Sequence, residues 1–135
     1  MSPSRWLLDT SALLTFIEGE AGADRVEALL GSGDALLHWM CLLETYYVTY
    51  RERGAAEANE RYALVRQLPV AWVEELDEIT LLTAGRFKAS HRISLADAVI
   101  AAAAFRLEAT LVHKDPELDA LAGEIATEAL PYKRG

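Results

Sequence analysis

The chain has 135 residues, of which 52% are hydrophobic and 25% charged, a balance that fits one globular domain with a sizeable core. Thirteen basic residues against 21 acidic ones give a formal net charge of −8, which argues against nucleic-acid binding through a broad positive surface, so any nucleic acid would need a local basic patch or metal ions. The single cysteine, Cys41, excludes an internal disulfide and fits a reducing cytoplasm.

Short apolar runs alternate with helical patterns along the chain, which is typical of an α/β domain with a mainly parallel sheet. The sequence predicts helices and strands in the following order: strand 5–8, helices 11–18 and 22–30, strand 35–38, helices 39–53 and 55–67, strand 70–74, helices 77–89 and 94–107, strand 110–113, a short helix opened by Asp115-Pro116, and an edge strand within 125–130. No repeat or linker interrupts this pattern. We therefore expect a single domain over residues 1–135.

No segment has the features of a membrane anchor or a secretory signal. The longest apolar run, 98–105, is far too short to cross a bilayer. Residues 1–9 lack the charged region and long apolar stretch that mark a signal peptide. The sequence thus predicts a cytoplasmic protein that does not enter membranes.

Asp97 is the only charged residue in the apolar stretch 95–105. Its neighbours at helical spacing include Ser94, Ile100 and Ala101, so we expect its carboxylate to face a protein contact. Burying a lone carboxylate costs several kcal/mol or more unless cations, hydrogen bonds or a metal compensate. Asp97 is therefore a candidate functional residue.

Three further acids occupy comparable positions. Asp9 follows the first predicted strand and Asp115 follows the fourth, and ligands of open parallel sheets lie outside the carboxyl ends of the strands. Glu44 has only apolar or aromatic helical neighbours, and no Lys or Arg lies within one turn of it or of Asp97. We expect Glu44 to be buried without a local partner, and the four acids to form one site.

Carboxylates held close together repel one another, and some take up protons unless cations compensate. Oxygen ligands without His or Cys suit Mg²⁺ or Mn²⁺ rather than zinc. Such ions can orient a water and stabilise the charge on a phosphoryl group during in-line displacement. The four acids therefore predict a metal-dependent phosphodiester hydrolase.

Each acid also has an ordinary structural interpretation. Ser94 and Asp97 form a capping-box-like pattern, and Asp115 followed by Pro116 is a common helix start. Asp9 can end a strand and begin a turn. Glu44 has the weakest structural explanation, because it would need a distant Arg to neutralise its charge. One shared site explains all four acids more simply than four separate structural roles do.

The segments 8–14 and 93–101, with Glu44 between them, resemble the PIN domain family, and the small size and spacing are most similar to the VapC toxins of bacterial toxin–antitoxin pairs. The resemblance implies a three-layer α/β/α sandwich and metal-dependent ribonuclease activity. It also implies a cognate antitoxin that blocks the site, and a homodimer.

Carried over by position, the resemblance makes Asp9 and Asp97 the principal metal ligands, with Glu44 and Asp115 completing the pocket directly or through water. We expect no covalent protein nucleophile.

The chain departs from the family pattern after the fourth strand. His113 stands where a hydroxyl residue is frequent, and Leu118 stands where Phe is common. Glu117 or Asp119 could therefore supply the fourth carboxylate, although Asp115 has the best position, directly after the strand.

An aromatic face follows the long predicted helix, at Trp39, Leu43, Tyr46, Tyr47 and Tyr50. Core packing is the favoured interpretation of this face, and a dimer interface or an antitoxin groove is the alternative.

Several cations stand near the acids. Arg86, Lys88, His91 and Arg92 precede Asp97, and Lys114 adjoins the fourth strand-end acid. These side chains could bring RNA phosphates to the metal, but cations near a helix end are also favoured by the helix dipole.

The resulting hypothesis is a Mg²⁺- or Mn²⁺-dependent endoribonuclease of VapC type. A haloacid-dehalogenase-like phosphatase would carry a second Asp where Ser11 stands, and a receiver domain would carry an acidic pair after the first strand. The main alternative is a non-catalytic PIN-fold module that binds RNA or protein, against which the retention of all four acids argues.

Overall fold

The structure is a computed structural model that describes residues 4–133. Its elements in chain order are β1 (Trp6–Leu8), α1 (Thr10–Glu18), α2 (Ala23–Gly31), β2 (Ala35–His38), α3 (Trp39–Arg53), α4 (Ala55–Arg66), β3 (Ala71–Val73), α5 (Glu78–Ser90), α6 (Leu95–Leu107), β4 (Thr110–His113), a 3-10 helix (Pro116–Leu121) and β5 (Thr127–Ala129). All predicted strands and helices are confirmed. The single domain over residues 1–135 stays a prediction, and its first three and last two residues lie outside the described part.

Side chains with a capping oxygen set the start of three helices. Asp9, Asp77 and Ser94 each accept a hydrogen bond from the N–H three residues further on, at the first turns of α1, α5 and α6. Such caps satisfy N–H groups that have no partner within the helix. Gly54, with a φ of +91°, joins α3 to α4 in a backbone conformation that favours glycine.

The five strands form one parallel sheet in the order β3-β2-β1-β4-β5. The predicted mainly parallel sheet is therefore confirmed. In the central register Leu8 lies beside Leu37 of β2 and Val112 of β4. This register brings the carboxyl ends of β1 and β4 together, so Asp9 and the segment after His113 share one edge.

Both faces of the sheet are covered. Successive residues of β1, β2 and β4 are buried, which requires helices on each side. Residues 98–104 of α6 are also buried throughout, so this helix lies inside the domain. The helices pack as consecutive pairs, α1 with α2, α3 with α4 and α5 with α6. The structure confirms the predicted PIN-like α/β fold.

The prediction that the aromatic face of α3 packs in the core is wrong. Trp39, Leu43, Tyr47 and Tyr50 are each more than two-fifths exposed. The helix instead buries smaller side chains, Cys41, Leu42, Thr45 and Thr49. Tyr46 is half-buried, and its hydroxyl donates to Asn59 on α4.

Within residues 4–133, none of the helices combines the length and the apolar character needed to cross a membrane.

Candidate active site

Asp9 lies at the carboxyl end of β1 and is only 1% exposed. Its Oδ1 accepts hydrogen bonds from the Ala12 N–H, at 2.8 Å, and from the Ser11 hydroxyl, at 2.7 Å. Burial raises the pKa of Asp9 from 3.8 to about 8, although both hydrogen bonds favour the charged form. The charges of Asp97 and Asp115 raise the pKa further. The central feature of this edge of the sheet is therefore a buried acid whose pKa is raised both by burial and by the charges of two other acids.

Ser11 joins the two strand ends. Its hydroxyl donates to Asp9 and accepts the Lys114 N–H at 2.8 Å. One side chain therefore fixes the start of α1 to the segment that follows β4. The local sequence carries no signal of this contact, which spans 103 residues.

Asp97 lies in the first turn of α6 and is half-buried. Its N–H donates to the Ser94 hydroxyl at 3.1 Å, so the capping interpretation is correct for the backbone. The side chain nevertheless faces other acids: burial, and then the charges of Glu44 and Asp115, raise its pKa from 3.8 to about 6. Capping and a place in the acidic site thus coexist.

The expectation that Glu44 is buried is wrong, because the side chain is only half-buried. Consistent with the predicted lack of a local partner, its Oε1 accepts a hydrogen bond from the Thr10 hydroxyl, 34 residues away in the chain. Thr10 is itself buried in the first turn of α1, directly after Asp9. The local sequence shows that no cation lies within one turn of Glu44, but it carries no signal of a hydroxyl on another helix.

Asp115 begins the 3-10 helix, where its carboxylate accepts the Glu117 N–H at 3.0 Å. The structural interpretation of Asp115 is therefore correct, but its charge also raises the pKa of both Asp9 and Asp97. Of the two alternatives, Glu117 is exposed and contributes only to the pKa of Asp97, and Asp119 accepts a hydrogen bond from the hydroxyl of Tyr132. Asp115 has the best placement of the three.

His113 is fully buried at the end of β4. Its Nδ1 lies 3.2 Å from the Asp115 nitrogen and accepts that N–H. Burial lowers the pKa of His113, against the charges of Asp119 and Asp115. Its Nε2 has no hydrogen-bond partner among the described residues, and the nearest carboxylate oxygen, of Asp119, lies 4.0 Å away. His38 repeats this arrangement at the end of β2, where its Nδ1 accepts the Met40 N–H at 2.9 Å. Each ring thus fixes the backbone that follows its strand.

Replacement of His113 by Leu is expected to lower the free energy of unfolding by about 1–3 kcal/mol, because the Asp115 N–H loses its acceptor. His113→Asn should retain more stability than His113→Leu, since an Asn side chain can accept the N–H two residues on. Urea denaturation of the two variants tests this difference. Equal loss in both variants would contradict the role assigned to Nδ1.

Three of the five basic side chains predicted as candidates for phosphate contact bind groups outside the acidic site. Arg86 and His91 both contact Glu124, at 2.6 Å each. The Lys114 ammonium donates to the Ala21 carbonyl at 2.8 Å. The structure does not bring these three side chains to the acids.

A divalent cation fits the chemistry of these acids, although the side chains as placed form no closed cage. Among residues 4–133, no three His, Cys, Asp or Glu side chains converge closely enough to hold one ion. Asp9, Glu44 and Asp115 instead accept hydrogen bonds from backbone N–H groups or hydroxyls. The donors are oxygens only, which suits Mg²⁺ or Mn²⁺. A cation would also relieve the raised pKa values of Asp9 and Asp97.

The PIN domain family model matches residues 6–124. No curated protein has a sequence that matches this chain significantly. In structure the chain is similar to the DNA-bound VapBC from Salmonella typhimurium, with 16% identity, a TM-score of 0.74 and coverage of 94% of this chain and 98% of that one.

Two further solved structures have a similar fold. VapC20 from Mycobacterium tuberculosis, described as a sarcin-ricin loop cleaving toxin, has 19% identity and a TM-score of 0.70, with coverage of 93% and 99%. FitAcB from Neisseria gonorrhoeae has 21% identity and a TM-score of 0.67, with coverage of 90% and 95%. At these identities the likeness establishes the fold alone.

The family model spans the sheet from β1 to β4 and includes all four candidate acids. The resemblance found in segments 8–14 and 93–101 is thereby confirmed. The chain belongs to the PIN domain family.

Proposed function

We propose that this protein is a metal-dependent endoribonuclease and the toxin of a toxin–antitoxin pair. The main observation behind the proposal is that acids from remote parts of the chain lie close enough for their charges to raise the pKa values of Asp9 and Asp97. Asp9 and Asp97 both have raised pKa values, partly because Asp115 lies near each of them. A fold rarely retains buried like charges without a cation or a reaction that uses them.

In this proposal Asp9 and Asp97 are the principal ligands of Mg²⁺ or Mn²⁺, and Glu44 and Asp115 complete the site. The ion, when bound, would supply the positive charge that orients a water and stabilises the charge on the phosphodiester. No side chain of the protein acts as a covalent nucleophile.

Neighbouring residues hold the acids in place. The Ser11 hydroxyl and the Ala12 N–H fix one oxygen of Asp9, and the Thr10 hydroxyl fixes one oxygen of Glu44. Because the pKa of Asp9 is about 8, this carboxyl must lose its proton before it can act as a ligand. Metal uptake should therefore release a proton and strengthen as pH rises.

An antitoxin protein and a second copy of the chain are the partners that we propose, in the cytoplasm. VapBC complexes from Salmonella typhimurium and Rickettsia felis were solved bound to DNA, and they share this fold. The exposed apolar side chains of α3 and α5 offer surfaces for such contacts, among them Leu43, Tyr47, Ile79 and Leu82. The homodimer stays a prediction.

The test is a cleavage assay on total RNA with Mg²⁺, with Mn²⁺ and with a chelator. We expect discrete fragments with either ion and none after chelation, because the acids then lack the compensating charge. Mapping the cut sites would identify the RNA. Cleavage that persists in the chelator would contradict metal dependence, and RNA binding without cleavage would favour the non-catalytic PIN-fold module.

A further inference from the structure

A cleft of about 610 Å³ opens beside the candidate active site. Ser11, which contacts Asp9, and Pro116, which follows Asp115, are part of its lining. Leu14 and Glu18 continue the lining along α1. The cleft therefore adjoins the acidic site, although none of the four acids lines it.

The same face of α3 carries an acid of the site and lines the cleft. Glu44, Val48 and Glu52 are four residues apart, which places them in one row on the helix. The last two line the cleft. With about 1.5 Å of helix rise per residue, the row is about 12 Å long, a distance that a few nucleotides of a single strand can cover.

The cleft is lined by four cations and three glutamates, in a protein whose formal net charge is −8. The cations are Arg53, Arg61, Lys114 and Lys133, and the glutamates are Glu18, Glu20 and Glu52. The side chains of Arg61 and Lys114 are only 15% and 6% exposed, so the surrounding protein fixes the positions of their charged groups. Those of Arg53 and Lys133 are 44% and 73% exposed and can reach a ligand.

Two glutamates hold these cations. Glu18 lies 3.2 Å from Arg53 and 3.1 Å from Arg61, and Glu20 lies 2.9 Å from Lys133 and 3.8 Å from Lys114. Ion pairs of exposed side chains are weak, so phosphate oxygens can replace the glutamate oxygens at Arg53 and Lys133.

Tyr132 adds an aromatic ring to the lining and is 37% exposed. Single-stranded nucleic acids bind where a positive groove follows the backbone and aromatic rings stack on bases. We propose that the cleft binds the single-stranded RNA that leads to the acidic site, with Arg53 and Lys133 contacting phosphates. This inference rests on the proposed function and specifies the substrate path.

The experiment measures RNA affinity in the Asp97→Asn protein, which should bind without cutting. The probe is a fluorescein-labelled single-stranded RNA of about ten nucleotides, followed by fluorescence anisotropy over a series of salt concentrations. Arg53→Gln and Lys133→Gln should each weaken binding by about tenfold and lower the salt slope by about one. Matched controls are Arg25→Gln and Arg106→Gln, which remove the same charge from exposed ion pairs with Glu128 and Asp77 and should change affinity far less.

Glu18→Gln is expected to change RNA affinity in the opposite direction. The variant removes the carboxylate charge that Arg53 and Arg61 share, so that Arg53 keeps only its 3.6 Å ion pair with Glu57 and Arg61 its hydrogen bond to Thr49. It should therefore bind the RNA more tightly while losing some stability. If the ion pairs only hold α1 against α3 and α4, this substitution leaves RNA affinity unchanged or weaker, and the inference is overturned. Equal competition by polyglutamate also overturns it, because the cleft would then be a general site for anions.

The assay separates this inference from the proposed function. If the wild-type protein cleaves RNA and the cleft variants bind like the controls, only the inference about the cleft fails. If the cleft variants lose affinity but the wild-type protein never cleaves, the cleft binds RNA and the nuclease proposal fails.

Discussion

Asp97→Asn is expected to abolish Mg²⁺-stimulated RNA cleavage, with a loss on the order of a thousandfold or more. The substitution removes a negative charge that the proposed ion needs and leaves a side chain of the same shape. The fold should survive, because Ser94 caps α6 through the backbone N–H of residue 97 rather than through its carboxylate. Cleavage rates at saturating Mg²⁺, with circular dichroism for the fold, measure both effects.

Asp24→Asn is the matched control for this variant. Asp24 is exposed in the first turn of α2, and its replacement changes the net charge by the same amount. The control should cleave at the wild-type rate. Full activity in Asp97→Asn would remove this residue from the catalytic assignment.

Asp9→Asn should make the metal-free protein more stable at a pH of about 8, by on the order of 5 kcal/mol. The carboxyl is almost fully buried, and burial raises its pKa from 3.8 to about 8, so the charged form is costly. Asn retains an oxygen that can accept from Ser11 and Ala12. We expect a rise in Tm of more than about 10 °C, together with loss of cleavage.

The pH dependence of stability has a definite sign. Between 3.8 and about 8 the folded protein holds the Asp9 proton that the unfolded chain has released. The free energy of unfolding contributed by Asp9 therefore falls as pH rises through this window. Burial also lowers the pKa values of His38 and His113. The contribution of these histidines to the free energy of unfolding therefore rises with pH over part of the same window.

The difference in the free energy of unfolding between the wild-type protein and Asp9→Asn isolates the contribution of Asp9, because the histidines are common to both proteins. Chemical denaturation at a series of pH values from about 4 to about 8 supplies this difference. The gap should widen toward the alkaline end, and Mg²⁺ should narrow it there. A gap that does not vary with pH would mean that Asp9 is charged throughout.

The order of the helices and strands can be predicted from the sequence alone. Strand 35–38 and strand 110–113 were predicted with the boundaries that the structure has, because each is a short apolar run bounded by helical patterns. Caps helped as well: Ser94 before an apolar helix marks its start, whichever tertiary contacts follow.

The acids whose charges influence one another could be predicted from the sequence, because a carboxylate in an apolar setting is costly wherever it occurs. The groups that hold these acids could not be predicted. The Thr10 hydroxyl meets Glu44 across 34 residues, and Ser11 meets the Lys114 N–H across 103. Hydroxyls are common, and only the packed fold decides which one becomes a partner.

The exposure of the aromatic face of α3 could not be predicted from the sequence for a related reason. Helical periodicity shows that one side of α3 is apolar, but it does not reveal what covers that side. The core against α3 accepts Cys41, Thr45 and Thr49, which leaves Tyr47 and Tyr50 outside. Large side chains on a helix can thus mark a surface for a partner as readily as a core.

The central position of β1 affects how the protein is made. Trp6 pairs with Thr110, so the first strand gains its second neighbour only after more than a hundred further residues have been synthesised. Two of the four acids, Asp97 and Asp115, also belong to the later part of the chain. A growing polypeptide on the ribosome therefore cannot assemble the pocket early, and the acids gather only when translation is nearly finished.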